Sequence, residues 1–513
     1  MATIESGATV SSFFRESLSR FPGNEAVIAE EGVRLSYQDI GRAVSSFATK
    51  LALLGVKDHR VALLMGNGAA IVVALHAIWE AGAQAVPLNP DYTERELDEI
   101  LEDADVLITI CGTAQNDRIG DLLKRRSRAQ VLVLDSVDLA DLVTGTGEIL
   151  GQLPHPDSLA ILQYTGGTTG RSKGVALTHR TVAVNVMQRD EAIPMEPGKE
   201  RILCVTPLYH AYATAMALFP ALSSGGVLVI LTRFKPEAVF DAIERERITL
   251  FAGAPSIYNV MVTHPEFERR DLSSLTASFS GSAPLAVDVL ERWQRVSGAP
   301  ILEGYGLTEA SPIITFNPRH GPRKVGSVGP AVSATQVEVV EMDGGTQPLA
   351  AGIIGEVRAR GPQLMKGYRN RPKETAEAIR DGWLYTGDLG ELDEDGYLFI
   401  RGRKKEMVIV GGFNVYPCEI EEVLFTLDGV LDCAVVGVQD PRWGEVVHAF
   451  LVHDGASLNA DLVMEHCSRN LVRYKLPARV NFLQVLPRTA VGKLDRTALG
   501  KMAGELVRTG EPE

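Results

Sequence analysis

The segment YTGGTTGRSKG, residues 164–174, packs four glycines, three threonines and one lysine into eleven positions with no aliphatic side chain. It follows the apolar run LAILQY, residues 159–164, which reads as a buried strand. A strand opening into such a loop permits unusual backbone angles and close approach by a ligand, and Thr165, Thr168 and Thr169 add hydroxyl donors. That is the makeup of a phosphate cradle. It is not a Walker loop, because Lys173 stands three residues after Gly170 and is followed by Gly174 instead of Ser or Thr. Composition alone leaves a plain Gly/Thr turn between strands equally open.

Around this segment, from about residue 35 to 300, short apolar strands (VALLM, VLITI, VLVLD, ILCVTP, GVLVIL) alternate with amphipathic stretches such as ERELDEILEDA and KPEAVFDAIERERI. The alternation predicts parallel sheets covered by helices. Between about 315 and 400 the pattern changes to short alternating strands and turns, TQVEVVEMDGG, GEVRARG and GYLFIRG, which predicts a small antiparallel barrel or sheet. After Gly402 a new series begins: strand EMVIVGG, helix PCEIEEVLFTL, strands DCAVVGVQD and VVHAFLVHD, helix ADLVMEHCSRNL and a final loop with LPRTAVGKLDR. Residues 403–513 therefore read as a separate α+β domain. Its short junction at GRKKE, around Lys405, is a candidate hinge.

At 513 residues the chain is too long for one hydrophobic core. Its 45% hydrophobic content excludes disorder, and a net charge of -14 argues against a general binder of nucleic-acid backbones. Five scattered cysteines without CxxC spacing suggest neither a disulfide framework nor a zinc site, and fit a reducing cytoplasm. The amino terminus, with an early Glu5 and no basic opening, does not read as a signal peptide. Two uncharged runs, residues 61–79 and 202–232, are long enough to raise the question of a membrane span. Gly66 and Gly68 break the first, and Pro207, Pro220, Gly225 and Gly226 the second, so both read as buried soluble structure.

Two further segments carry chemistry. In EGYGLTEASP, Glu309 is a hard oxygen ligand suited to Mg²⁺ and Thr308 can meet a phosphate; a solvated surface carboxylate is the bland alternative. In GWLYTGDLGELDEDG, Asp388 follows a glycine turn and is suited to ribose hydroxyls, or simply caps that turn.

Taken in order, YTGGTTGRSKG, YGLTE, YTGDL, GRKKE and PRTAVGKLDR resemble the adenylate-forming superfamily of acyl-CoA synthetases, adenylation domains and beetle luciferases. The resemblance implies an α/β fold with a large amino-terminal domain (1–402) of parallel, helix-covered sheets. Within it lies a barrel-like subdomain at about 315–400, and a small mobile α+β domain (403–513) follows, hinged near Lys405. It also implies ATP, Mg²⁺ and CoA as cosubstrates. Thr165, Gly166, Gly167, Thr168, Thr169, Gly170 and Lys173 are implied to order the β- and γ-phosphates, and Thr308 and Glu309 the phosphate and Mg²⁺ contacts. Gly281, Ser282, Ala283 and Pro284 with Tyr305 and Gly306 match the adenine slot, and Asp388 and Arg403 the ribose contacts. Lys493 matches the mobile-domain lysine that reaches the substrate carboxylate and α-phosphate. His210 matches a position that gates the thiol tunnel or shapes the acyl pocket, although a lone histidine is more often structural. Trp443 is either a contact for CoA or ordinary packing.

The resemblance places the acyl pocket around residues 210–216, 253–258, 280–283 and 304–312, which are small or apolar and nearly uncharged. A second carboxylate would need a buried cation there, and none is visible; Gly304 stands where malonate-activating relatives carry arginine. HAYATAM lacks the aspartate that anchors an amino acid's ammonium. A medium-to-long fatty acid is the expected substrate, with an aryl or hydroxycinnamic acid as the nearest rival. CoA is the expected acceptor and an acyl carrier protein the alternative, with a second copy of the chain the remaining candidate partner. A silent scaffold of the same fold is the non-enzyme reading, against which Lys173, Glu309, Asp388, Arg403 and Lys493 stand together.

Overall fold

The computed structural model describes residues 7–145, 151–165, 172–283, 285–342, 344–453, 455, 458–489 and 494–509. The chain divides into two compact units, one made of Met1–Val337 and Ala359–Leu384, the other of Glu338–Arg358 and Tyr385–Glu513.

The first unit is α/β, built on two large sheets. One has seven strands in the order Gly367–Tyr368, Lys173–Thr178, Leu159–Thr165, Gln84–Leu88, Arg60–Leu64, Ile108–Cys111 and Gln130–Val133. Its last five strands run parallel, and the two at the opposite edge are antiparallel. The other sheet has eight strands, with Ala277–Ser280, Leu250–Gly253, Arg201–Cys204 and Val227–Ile230 at its parallel centre and Ile301–Gly306 beside Ala277–Ser280.

The apolar run at residues 61–79 resolves into the strand Arg60–Leu64 and the helix Ala69–Glu80, every residue of which is buried. A helix apolar on all sides belongs inside a large core, where each buried Val, Leu or Ile contributes about 1.5–3 kcal/mol. The second run likewise breaks into strand, short helices and strand between Arg201 and Ile230. No described helix is long and apolar enough to cross a membrane. All five cysteines are buried and free.

The second unit contains most of the strand Trp383–Leu392, which begins at the end of the first, and its antiparallel partner Leu398–Arg403, then a sheet dominated by the long pair Val430–Asp440 and Gly444–His453. The helices Pro417–Phe425, Ala460–Asn470 and Arg496–Thr509 accompany it. The sequence reading stopped at a final loop; the chain instead adds the strand Arg479–Phe482, parallel to Gly444–His453, and that last helix. Gly500 and Gly504 weaken the helical signal of the segment.

Candidate functional site

In the first unit, the carboxyl ends of the parallel strands deliver most of the candidate residues, the usual place for a ligand in an open α/β sheet. His210 follows Arg201–Cys204, residues 281–283 follow Ala277–Ser280, and Tyr305 and Gly306 end Ile301–Gly306. Thr308 and Glu309 occupy the single 3₁₀ turn Thr308–Ala310. Gly306 is required by space, because a Cβ there would lie 1.8 Å from the carbonyl oxygen of Pro312. Ser282 and Ser311 both take left-handed backbone angles, φ 75° and 69°, so the two turns flanking this region are sharply folded.

The strands Leu159–Thr165 and Lys173–Thr178 form an antiparallel pair in which Thr165 lies opposite Lys173. Gly166, Gly167, Thr168, Thr169 and Gly170, which join them, lie outside the described residues, as do Pro284 and Lys493. The Lys173 ammonium sits over the ring of Tyr368, 5.1 Å from its centroid. The hydroxyl of the same tyrosine donates to Oε1 of Glu309 at 2.7 Å. Burial, reinforced by the neighbouring Glu309 charge, holds the Tyr368 phenol well above its ordinary range, so it remains a donor.

Tyr368 is placed by backbone bonds. Gly367 and Tyr368 pair with Ala176 and Val175, the Arg369 N–H donates to the Gly174 carbonyl at 2.8 Å, and the Met365 N–H donates to the Glu309 carbonyl at 2.8 Å. Side chains add to this: Tyr164 donates to Asp103 at 2.6 Å, and Arg369 Nε donates to the Asp103 carbonyl at 2.6 Å. Sequence reading missed Tyr368, because nothing local in KGYRN marks it. Its significance comes from pairing with a strand almost two hundred positions earlier.

Glu303 was missed as well. It lies opposite Ser280 on the neighbouring strand and is 8% exposed, and burial pushes its carboxyl up to about 7, offset in part by a bond from the Leu285 N–H. The available signal was a lone carboxylate at the end of a buried strand.

The segments expected to line an acyl pocket are braced by two tyrosines. Tyr212 donates to the Gly253 and Phe279 carbonyls at 2.9 and 3.1 Å, and Tyr258 to those of Phe251 and Phe279 at 3.1 and 2.8 Å. His210 caps the short helix Ala211–Ala213, its Nδ1 accepting from the Tyr212 N–H at 3.3 Å. A π-helical turn, Thr214–Leu218, follows directly; such turns frequently mark functional sites. A Cβ on Gly304 would meet the Phe316 ring at 2.2 Å, so an aromatic ring already fills the space that a side chain at 304 would need.

In the second unit, Asp388 and Arg403 are cross-strand neighbours, with Arg403 Nε 3.0 Å from Asp388 Oδ1. The aspartate side chain is buried and the arginine half exposed. Lys404, beside the expected hinge residue Lys405, donates to the Met342 carbonyl. Trp443 is 48% exposed, with the Arg442 guanidinium 5.0 Å from its ring centroid.

Among the described residues no group of three His, Cys, Asp or Glu side chains is placed to hold a metal. A single carboxylate such as Glu309 does not suit structural zinc, which takes four protein ligands. It fits Mg²⁺, which uses one or two carboxylates and completes its shell with phosphate oxygens and water.

Over residues 14–369 the chain matches the family described as AMP-binding enzyme, and over residues 419–493 the AMP-binding enzyme C-terminal domain. The chain belongs to the AMP-binding enzyme family. It is 35% identical over 529 residues to a long-chain-fatty-acid–CoA ligase of Bacillus subtilis, covering 96% of this chain and 94% of that one. It is 36% identical over 485 residues to a feruloyl-CoA synthase of an Amycolatopsis species, covering 93% and 95%. ATP-bound MatB from Rhodopseudomonas palustris superimposes with a TM-score of 0.89 at 31% identity, covering 97% of this chain and 99% of that one. As a member of this family the chain is an adenylate-forming enzyme of the acyl-CoA synthetase type.

Proposed function

We propose that this enzyme activates a hydrophobic monocarboxylic acid, a medium-to-long-chain fatty acid first among the candidates, as an acyl adenylate and transfers the acyl group to CoA. The observation that carries the reading is the joining of Lys173 and Glu309 through one tyrosine beside the Gly/Thr segment. Cation, carboxylate and hydroxyl-rich loop are together the equipment for a metal-bound polyphosphate.

In the first half-reaction a substrate carboxylate oxygen bonds to the α-phosphorus of ATP, and the bond from that phosphorus to the bridging oxygen of pyrophosphate breaks. Negative charge accumulates where two anions meet, and fixed cations and donors aimed at that charge lower the barrier. Lys173 and the loop at residues 166–170 would hold the departing pyrophosphate. Thr308 and Glu309 would hold phosphate and Mg²⁺, whose charge neutralises the polyphosphate when bound. Residues 281–284, Tyr305 and Gly306 would take the adenine, Asp388 and Arg403 the ribose, and Lys493 the reacting carboxylate and α-phosphate. In the second half-reaction the CoA thiolate bonds to the acyl carbon, AMP departs, and its phosphate keeps the electron pair. A carboxy-terminal domain hinged near Lys405 would exchange Lys493 for the thiol-facing surface between the two steps, in the cytoplasm.

The nearly uncharged lining, braced by the hydroxyls of Tyr212 and Tyr258, supports an apolar acid. Similarity to a feruloyl-CoA synthase as strong as that to a fatty-acid ligase supports an aryl acid as the second reading. A panel of fatty, cinnamic, benzoic and dicarboxylic acids, read by pyrophosphate release with and without CoA, separates them. The expected result is release with medium-to-long fatty acids and thioester only when CoA is present. Release confined to cinnamic acids would establish the aryl reading, and thioester formed only on a carrier protein would replace CoA as acceptor. No release with any acid would leave a silent scaffold.

A further inference from the structure

We propose that Tyr368 is a positioning residue for the metal–nucleotide complex: its hydroxyl holds the orientation in which the Glu309 carboxylate would be offered to the metal, while its ring positions the Lys173 ammonium. The proposal rests on the reading of this region as the ATP–Mg²⁺ site.

Three observations converge on one side chain. The phenol donates to Oε1 of Glu309 at 2.7 Å. That bond occupies one lone pair of Oε1 and restricts the rotation of the carboxylate, so that Oε2 would be the oxygen more readily offered to a metal. The aromatic face lies 5.1 Å from Lys173 Nζ, within the range at which a ring attracts a cation. The ring therefore gives the lysine a defined position. Finally, the backbone of residues 365–369 is bonded on both sides, to the Glu309 carbonyl through Met365 and to the strand Lys173–Thr178 through Lys366, Tyr368 and Arg369. The tyrosine is thus carried on the very segment that joins the turn bearing Glu309 to the strand bearing Lys173. A group so placed sets the spacing between carboxylate and ammonium without touching the reacting atoms.

The test uses the full-length protein with Mn²⁺ in place of Mg²⁺ and a non-hydrolysable ATP analogue. Metal binding is read by electron paramagnetic resonance and nucleotide binding by calorimetry. Tyr368→Phe keeps the ring and removes the hydroxyl. Hydrogen bonds to charged groups are worth enough for Mn²⁺ affinity in the ternary complex to fall by about 10-fold, with an unchanged thermal midpoint and an unchanged KM for the acid. Tyr368→Leu removes the ring too and is expected to weaken nucleotide binding further. Tyr37→Phe, which removes a buried hydroxyl that donates to the Ala221 and Gly226 carbonyls and takes no part in the site, should lower the thermal midpoint and leave Mn²⁺ affinity intact. If Tyr368→Phe binds Mn²⁺ and nucleotide as the parent does, or if it loses thermal midpoint with no loss of Mn²⁺ affinity as expected for Tyr37→Phe, the positioning role is overturned and the site reading stands. If the parent itself binds no Mn²⁺–nucleotide complex, both fall together.

Discussion

Around Glu309 in the first unit, several different ties meet: a backbone ladder from residues 365–369, a phenol on the carboxylate, a ring under Lys173. On the second unit, Ile409, Phe413 and Trp443 are each about half exposed, and Phe413 stacks on Tyr474 at 4.6 Å. The first arrangement suits charge that must be met without reorganisation as it develops. The second suits a contact made and released, because three half-exposed side chains gain only modestly when covered and so cost as little to uncover. Preorganised charge contacts in one unit and separate half-exposed apolar side chains on the other would suit the two half-reactions proposed above.

The largest expected effect breaks the comparison outright. If charge neutralisation in adenylate formation is shared with the second unit, Lys493→Ala lowers acid-dependent ATP–pyrophosphate exchange by about 100-fold or more. Thioester formation from supplied acyl adenylate should fall far less, with no change in thermal midpoint. Retained exchange would place all of the neutralising charge in the first unit.

Glycines sharpen the contrast next. Gly306→Ala drives a Cβ to within 1.8 Å of a backbone oxygen, which cannot swing aside as a side chain would. Overpacking of this kind costs about 1–3 kcal/mol or more, and loss of both ATP binding and several degrees of thermal midpoint is expected. In the second unit, Gly500 lies within the helix Arg496–Thr509 with nothing within 4 Å of an added Cβ. There the same change is expected to stabilise by about 1 kcal/mol, read by denaturant unfolding.

Glu303 supplies a pH signature of the tightly packed unit. Burial raises its carboxyl from 4.5 to about 7, so between those values the folded chain holds a proton that the unfolded chain has lost. Its contribution to stability is therefore greatest below about pH 4.5 and declines as pH rises to 7, by up to about 3 kcal/mol in all. Glu303→Gln, which has no charge to bury and still accepts from the Leu285 N–H, should unfold at a higher temperature than the parent at pH 8. At pH 4 the two should nearly coincide. Equal midpoints at pH 8 would mean that water or a cation already compensates the carboxylate.

Much of this was legible in the chain itself. The strand expected at LAILQYT coincides with Leu159–Thr165, and the helix expected at ERELDEILEDA with Glu94–Ala104, because each carries a strong periodic or continuous apolar signal within a few turns. Lys173, Thr308 and Glu309 were picked out by short motifs, as were Asp388 and Arg403. What no local pattern carries is that Lys173 and Glu309 share a tyrosine. Tyr368 belongs to a two-residue strand, too short for any alternation, and its role exists only through non-local pairing. Glu303 stayed hidden for a related reason, since a carboxylate at a strand end looks solvated until a neighbouring strand and turn cover it.

Trp443 carries the smallest effect and bears on the second unit alone. Its ring is half exposed and flanked by the Arg442 guanidinium, yet its carbonyl accepts the Gly411 N–H at 2.8 Å, so the backbone is fixed while the indole is not covered. A side chain that packs little should cost little stability when truncated. Trp443→Ala is therefore expected to leave the thermal midpoint and acid-dependent pyrophosphate release unchanged. If the indole lies against CoA, its loss removes about 1–3 kcal/mol of stacking, seen as a rise of roughly 10-fold in the KM for CoA. An unchanged KM for CoA with a lowered thermal midpoint would return Trp443 to ordinary packing.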